Sequence, residues 1–551
     1  MEQLEEIFQT VQVDEPAEAH GILQTKDYND FIILSDIGDV IHRFTGAKLA
    51  NKCLPGDHVS YFISDDGVGQ CSLELRYEHS PIVATLELTS KSTYGLTKRG
   101  YPMYLCTPYN KSYPPFIVGS SEKDTSKNKI VLIQFDKWLD TFPRGLLIKT
   151  LGPSGDYNAE YEALIWQACP FTYPKYDYKP EQPKEQRRLV EGYTFNIDPK
   201  GCRDVDDVFT FMKVNDGWQV TITISDVASY VEDGTAIDIM ASLINQTLYS
   251  ADGEILRAML PLEYERACSI LPGKISYGIS MQFLWSHSKI SNIIWYESVL
   301  ENNKTFSYED YNSDFPLQGI ASHLAKESLR DSHKWVEQMM LFYNREAGAL
   351  LKRAKMGILR RHSAPDMQKL EEYKHHLPEF EYFAYSAAEY CLADDLNTRH
   401  YGLQSSAYTH TTSPIRRYAD LVNQRVLKLL IRQSDEQYIV PLSMYDMHLR
   451  EKAIKSFARD ADFLKAITSA SVFSGIIMDH SVKDGQMKIR IYVPVWKRMI
   501  STTYSVIDNN TVLSKDEKTE IDVHLYRTVK IKCAVMMQAR NWKERIVIHI
   551  Q

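Results

Sequence analysis

The stretch NIDPKGCRDVDDVF runs from Asn196 to Phe209 and brings Asp198, Asp204, Asp206 and Asp207 close together in the chain. Strand-forming sequence flanks it. YTFNI precedes it, and VFTFMKV follows, joined through the turn at Asn215 to Gly217 to WQVTITI in a hairpin pattern. If the segment is extended, Asp204 and Asp206 share one face, and Asp207 points elsewhere unless the backbone bends. Carboxylates this close raise one another's pKa or demand a counter-charge. Hard oxygen donors suit Mg2+ or Mn2+, which activate water and stabilise a leaving oxygen in phosphodiester hydrolysis. Two plainer readings stand beside this one: a solvated acidic loop and a calcium loop. The EF-hand order is not met. Counting from Asp204, Val208 stands where a third acid or Asn belongs and Phe209 where Gly belongs.

A second constellation lies at YTHTTSPIRRYADLVNQRVLKLL, Tyr408 to Leu430. Ser413 suits an N-cap and Pro414 the first helical position. Ile415, Tyr418, Val422, Val426 and Leu429 keep helical spacing and form an inward face. Arg416 and Arg417 then fall in the first turn, where the helix dipole disfavours cations. A phosphate would explain them, because it accepts helix-start N–H groups and the guanidinium fork together. An ion pair with a carboxylate of the protein body is the structural alternative.

The remaining sequence bounds the setting. A chain of 551 residues makes about three or four domains. Its 44% apolar and 25% charged residues are an ordinary globular mix. Nothing approaches about 20 uninterrupted apolar residues, so no membrane span is expected. The opening MEQLEEIFQTVQVDEPAEAH has six acids and no Lys or Arg, the wrong charge for a secretory or mitochondrial leader. The expected location is intracellular, in the cytoplasm. The eight cysteines lack zinc-site spacing and read as reduced, buried thiols. A net charge of −9 argues against non-specific nucleic-acid coating, although residues 471–551 carry 13 Lys or Arg against 8 Asp or Glu. Short strand patterns fill the first part of the chain, helical patterns dominate from Leu329 to Arg432, and strand patterns return near the end.

Both constellations resemble the catalytic domain of the ribonuclease II/ribonuclease R (RNB) family, which includes Dis3-like enzymes. The family's I-D-P strand end and R-D-x-D-D stand here as NIDPKGCRDVDD, and its arginine motif as YTHTTSPIRRYADL. Landmarks between them keep the family's order: ISDVASYV, MLPLEYERACSILPG, FSYEDY, VEQMML and LRRHSAP. The resemblance implies a multidomain α+β chain. A first cold-shock-like OB-fold barrel would span 1–78 and a second 79–170. A linker at 171–188 would lead to a mixed α/β RNB catalytic domain at 189–467 and an S1-like OB-fold barrel at 468–551. With the first barrel expected almost at the start of this sequence, an N-terminal PIN nuclease domain is not expected.

The family further implies Mg2+-dependent hydrolysis of single-stranded RNA from its 3′ end to nucleoside 5′-monophosphates. Water would attack the last phosphodiester in line, with the strand fed through the barrels by phosphate contacts. By position, Asp198, Asp204, Asp206 and Asp207 hold the metal and Arg416 neutralises the scissile phosphate. Arg417 serves the same surface, Tyr308 stacks on the terminal base and Glu337 holds the terminal ribose. Plainer roles are a core position for Tyr308, a solvated helix acid for Glu337 and a structural role for His410. Several departures touch the RNA grip. The family's paired acids are Glu337-Gln338 here, its His-Arg is Gln424-Arg425, and a second stacking aromatic has no clear counterpart. A non-catalytic RNA-binding or assembly protein and, further off, a DNA exonuclease are the competing readings.

Overall fold

A computed structural model describes residues 18–35, 38–63, 69–311, 314–469, 472–514, 519–535 and 546–550. Most of the acidic opening segment lies outside the described residues. The chain divides into two compact units, one of residues 1–170 with 453–551 and one of residues 171–452. The second division falls within the helix Met444–Ser469.

In the first unit, β1 (Glu18–Thr25), β2 (Asp30–Leu34), β3 (Val40–Thr45), β4 (His58–Ile63) and β5 (Gly69–Leu75) form a sheet of order β3-β2-β1-β4-β5. This corrects the expectation of a closed first barrel. Edge strands β3 and β5 are not laddered together. The turn segment after β3 meets β5 instead, with the Cys71 N–H donating to Leu49 O (2.8 Å) and Asn51 Nδ2 donating to Cys71 O (2.9 Å). The second expected barrel does close: β6 (Ile82–Leu86), β7 (Met103–Pro108), β8 (Phe116–Gly119), β9 (Lys129–Lys137) and β10 (Arg144–Pro153) pair in the ring β10-β8-β7-β6-β9. A parallel contact between β10 and β8 completes it.

The second unit is built on a seven-stranded sheet of order β11-β18-β17-β14-β13-β12-β19. Its strands are β11 (Arg188–Leu189), β12 (Tyr193–Asp198), β13 (Asp207–Val214), β14 (Gly217–Ser225), β17 (Ile275–Ser286), β18 (Lys289–Glu301) and β19 (Lys304–Ser307). The small pair β15 (Leu248–Tyr249) and β16 (Ile255–Arg257) stands apart from it. The expected hairpin forms, with Val214 opposite Gly217. Glycine is required at the turn, because a Cβ on Gly217 would lie 2.2 Å from the Trp285 carbonyl oxygen. Branched and aromatic residues favour these strands. Their inward side chains Phe195, Phe209, Phe211, Ile222 and Phe283 pack against Leu317 and Ile320 of one helix (Leu317–Ala325) and Met339 and Tyr343 of another (Ser332–Ala354). Burying a side chain of this size contributes about 1.5–3 kcal/mol relative to exposing it.

The expected helical run from Leu329 to Arg432 is interrupted. Helices Ser332–Ala354, Met367–His376 and Tyr418–Ile431 alternate with the strand pair β20 (Ile358–Arg361) and β21 (Glu389–Leu392) and with irregular chain. Pro365, Pro378 and Pro414 explain much of this, since proline removes an amide donor and blocks helix continuation.

The C-terminal strands return to the first unit as an antiparallel sheet. They are β22 (Val472–Lys483), β23 (Gln486–Val493), β24 (Arg498–Asp508), β25 (Thr511–Leu513), β26 (Glu520–Asp522), β27 (Thr528–Val535) and β28 (Ile546–Ile550), in the order β26-β25-β24-β23-β22-β27-β28. This too is a sheet with edges where a barrel was expected. The Ile550 amide of β28 bonds the Tyr504 hydroxyl of β24 at 2.8 Å, a side-chain link in place of a ladder. Within the described residues, no helix is long and apolar enough to cross a membrane. All eight cysteines are free, and all but Cys202 are buried.

Candidate active site

Asp198 ends β12 and Asp207 opens β13, so antiparallel pairing brings the acidic segment back toward its own start. Between them the chain is irregular but held. Ile270 N–H donates to Val205 O (3.0 Å), and Ser225 N–H donates to Asp206 O (2.7 Å). Val205 is buried with Val190, Val208 and Ile270. Asp204 and Asp206 flank it, Asp206 buried and Asp204 half-buried. Three of the four acids are held by separate partners. Asn196 Nδ2 donates to Asp198 Oδ2 (2.8 Å), Tyr249 donates its hydroxyl hydrogen to Asp204 Oδ2 (3.0 Å), and Ile415 N–H donates to Asp206 Oδ1 (3.1 Å).

Their charges interact. Burial pushes the Asp206 carboxyl up to about 8, against the opposing pull of Arg416 and the Ile415 N–H. Asp207 is driven well above the usual carboxylate range by burial, then by Asp198 and Asp206. Asp198 is also raised by burial, which outweighs the Asn196 hydrogen bond, with Asp204 adding to the rise.

Arg416 arrives from far along the sequence. Its Nε lies 3.7 Å from Asp206 Oδ2, and its Nη2 donates to Ser413 Oγ at 3.1 Å. Its side chain keeps 44% of its surface exposed, while Asp206 keeps 6%. The local backbone differs from the sequence expectation. The helix begins at Tyr418, not at Pro414, and Ser413 to Arg417 form a turn ahead of it. The cause is competition for backbone groups. Thr247 N–H donates to Arg416 O (3.0 Å) and Tyr418 N–H to Asn245 O (2.8 Å), so the chain is extended at Arg417 (φ −135°, ψ 126°). Ile415 and Tyr418 are buried as expected, while Leu429 is half-buried.

The other sequence-derived residues divide. Asp198 pairs in register with Ser307 of β19, so Tyr308 follows directly beside the acids. Tyr308 is half-buried against the sheet–helix core, and its ring is stacked on His333 (centroids 3.7 Å apart, 11° between planes). Arg417 turns away from the acids: its Nε and Nη2 take both oxygens of Asp420, at 2.9 and 2.8 Å. Glu337 is exposed on its helix and meets Lys334 Nζ at 2.6 Å. His410 is half-buried, lies 3.0 Å from the Tyr390 hydroxyl and is held well below the usual histidine range by desolvation, then by Arg417 and Arg360. Gln424 and Arg425, the departures noted above, serve the fold. Gln424 bridges Ser225 O and Val227 N–H (2.6 and 3.1 Å), and Arg425 meets Asp238 (2.6 Å).

Three contributors escape the motif reading. Asn196 sits two residues before Asp198, a same-face spacing that the sequence displays. Asp420, three residues after Arg417, likewise has helix-pair spacing. Tyr249 has no local signal, because the small β15–β16 pair reaches Asp204 from elsewhere in the chain.

Four carboxylates in one short segment outnumber the guanidinium that reaches Asp206, an imbalance that a divalent cation fits chemically, since the donors are all hard oxygens. As they stand, no three His, Cys, Asp or Glu side chains among the described residues converge as a finished metal site. Carboxylates raised by burial, with neighbouring acids adding to the rise, are nevertheless groups that a cation would relieve.

The RNB domain matches residues 186–318 and 312–433, which include the acidic loop and the arginine turn. The Dis3-like cold-shock domain 2 (CSD2) matches residues 103–168, within the closed barrel and the helix after it. The chain is 25% identical over 450 residues to the probable exosome complex exonuclease RRP44 of Caenorhabditis elegans, covering 62% of this chain and 46% of that protein. It spans just under half the length of that relative. In fold it resembles Mycoplasma genitalium RNase R in complex with ribose-methylated single-stranded RNA, with a TM-score of 0.69 at 16% identity over 97% of this chain and 100% of that one. It also resembles yeast Ssd1, described as a pseudonuclease, with a TM-score of 0.60 at 15% identity over 98% and 84% of the two chains. Acids and arginine lie together on the RNB-matched segment, and a Dis3-like cold-shock match precedes it in sequence, so residues 186–433 of this chain are an RNB domain.

Proposed function

We propose that this protein is a metal-dependent 3′→5′ exoribonuclease that shortens single-stranded RNA and releases nucleoside 5′-monophosphates. The observation that carries the reading is the meeting of Arg416 with Asp206 across the full length of the RNB-matched segment. Asp198, Asp204, Asp206 and Asp207 would hold Mg2+, with Mn2+ as a substitute. When bound, that ion supplies an activated water and offsets charge on the leaving oxygen. Arg416 commits one donor to Ser413 and stands half in solvent, placed to bind a phosphate and stabilise it as charge builds. Tyr308, beside Asp198, would stack on the terminal base, using a contact that tolerates any base. In this reading Glu337 would hold the terminal ribose and Arg417, paired with Asp420, would add positive charge to the phosphate surface.

The decisive experiment incubates 5′-labelled single-stranded RNA, with a matching DNA in parallel, in Mg2+ or in EDTA. Stepwise loss from the 3′ end of RNA, abolished by EDTA, is expected. Metal binding has its own readout. Millimolar MgCl2 should raise the melting temperature of metal-free protein by about 3–8 °C over NaCl of equal ionic strength. Asp206→Asn should lose most of that rise.

A second reading, RNA binding or assembly without cleavage, has one observation in its favour: His333 covers a face of the Tyr308 ring. Binding of RNA with no shortening in Mg2+ or Mn2+ would establish it.

A further inference from the structure

The segment Tyr408–Arg417 delivers Arg416 to the acids, yet up to its last residue it belongs to no helix or strand. Something outside it must fix its path. The side chain of Asn344 lies inside the helix Ser332–Ala354, at a position only 3% exposed, where helical spacing calls for an apolar residue. Its amide is fully used. Oδ1 accepts the Thr411 N–H and the Thr411 hydroxyl, both at 2.9 Å. Nδ2 donates to Thr412 Oγ1 (3.2 Å) and to the Tyr408 hydroxyl (3.4 Å). A side-chain amide has two donors and two acceptor sites, and all four go to this one segment.

The next turn of the same helix explains how an amide reaches so far. A Cβ added at Gly348 would lie 3.1 Å from Tyr408 Cα and 3.2 Å from Thr409 N, so the helix backbone lies against the segment. Immediately beyond Thr412, Ser413 accepts from Arg416, and the Ser413 N–H donates to Asp420 Oδ1 (2.8 Å). Asn344 therefore grips the residues directly before the turn that carries the guanidinium.

We infer that Asn344 is a positioning residue that sets where Arg416 stands over the aspartates. The inference rests on the nuclease reading for its kinetic arm only. In single-turnover decay of labelled RNA, Asn344→Ala lowers the maximal rate about 10–100-fold and leaves the half-saturating RNA concentration within about threefold. The double variant with Arg416→Ala is no slower than Arg416→Ala alone, because Asn344 acts through that guanidinium. Multiplicative losses in the cycle would overturn the inference. Thr412→Val removes one of the four bonds from the other side and shows a smaller loss of the same kind, which keeps the test available if Asn344→Ala does not fold.

The second arm needs no activity. Hydrogen exchange at the Thr411, Ser413 and Ile415 amides accelerates at least about tenfold in Asn344→Ala, while Val118 and Ile133 of the closed barrel are unchanged. Unchanged exchange at the three amides overturns the inference. If wild-type protein leaves RNA intact, the nuclease reading fails and this arm alone decides whether Asn344 orders the segment.

Discussion

Asp206→Asn should slow RNA shortening at least about 10³-fold in single-turnover assays, while the affinity for single-stranded RNA stays within about threefold. The substitution is nearly isosteric. It keeps an oxygen for the Ile415 N–H and removes the charge that faces Arg416 at 3.7 Å. A loss of binding comparable to the loss of rate would count against a catalytic role for this carboxylate.

The same variant has a stability signature in EDTA. Burial pushes the Asp206 carboxyl up to about 8 in the folded state, above its ordinary value of 3.8. Between those values the native state holds a proton that the unfolded chain has released, so stability falls as pH rises through that window. Asp204 and Asp420 push the carboxyl the same way, and Arg416 and the Ile415 N–H oppose them. Asn carries no such charge. Urea melts in EDTA should therefore show the variant gaining on wild type from pH 5 to pH 8, and a constant difference would refute the assignment.

The second large effect is structural. Asp226 has no exposed side-chain surface and holds Arg187 Nη1 at 2.7 Å and Lys428 Nζ at 3.0 Å. Ser229 adds its N–H (3.1 Å) and its hydroxyl (2.7 Å). Asp226→Ala leaves two buried cations short of a counter-charge and should destabilise the unit of residues 171–452 by about 3–5 kcal/mol. Removing Lys428 as well, in Asp226→Asn/Lys428→Met, should recover part of the loss relative to Asp226→Asn alone. Burial raises this carboxyl, but Lys428 and Arg187 outweigh it and hold it below the usual range. The sign is thus opposite to that of Asp206. The contribution is present above the unfolded value of 3.8 and is lost as pH falls through the folded one. Urea melts followed by tryptophan fluorescence from about pH 2 to pH 5 should show the midpoint of Asp226→Asn less sensitive to pH than that of wild type.

The acids and the arginine turn were legible in the sequence because their chemistry is concentrated in short runs. Like charges and paired guanidiniums that a chain would otherwise avoid need a local reason. The start of the arginine helix was misread by four residues, because Ser413-Pro414 has every local mark of an N-terminus. What moved it was backbone pairing of residues 416 and 418 with the remote Asn245–Thr247 segment. Barrel closure failed for a related reason. Strand patterns announce the strands of the first sheet, but whether an edge such as β3 or β5 finds a partner strand or a turn, or β28 the Tyr504 hydroxyl, is decided by chain outside the strand itself. Gln424 and Arg425 looked like weakened RNA contacts, yet their carbonyl, amide and carboxylate partners make them parts of the fold. Tyr249 shows the opposite limit, a site neighbour with no mark in its own surroundings.

The distance in sequence between Asp206 and Arg416 also has a temporal meaning. The ribosome adds about 5–20 residues per second, so the guanidinium is made roughly 10–40 s after the carboxylate it will face. For that interval the nascent polypeptide presents its anionic loop without the residue that balances it. Translation order alone keeps the centre incomplete until most of this unit has emerged.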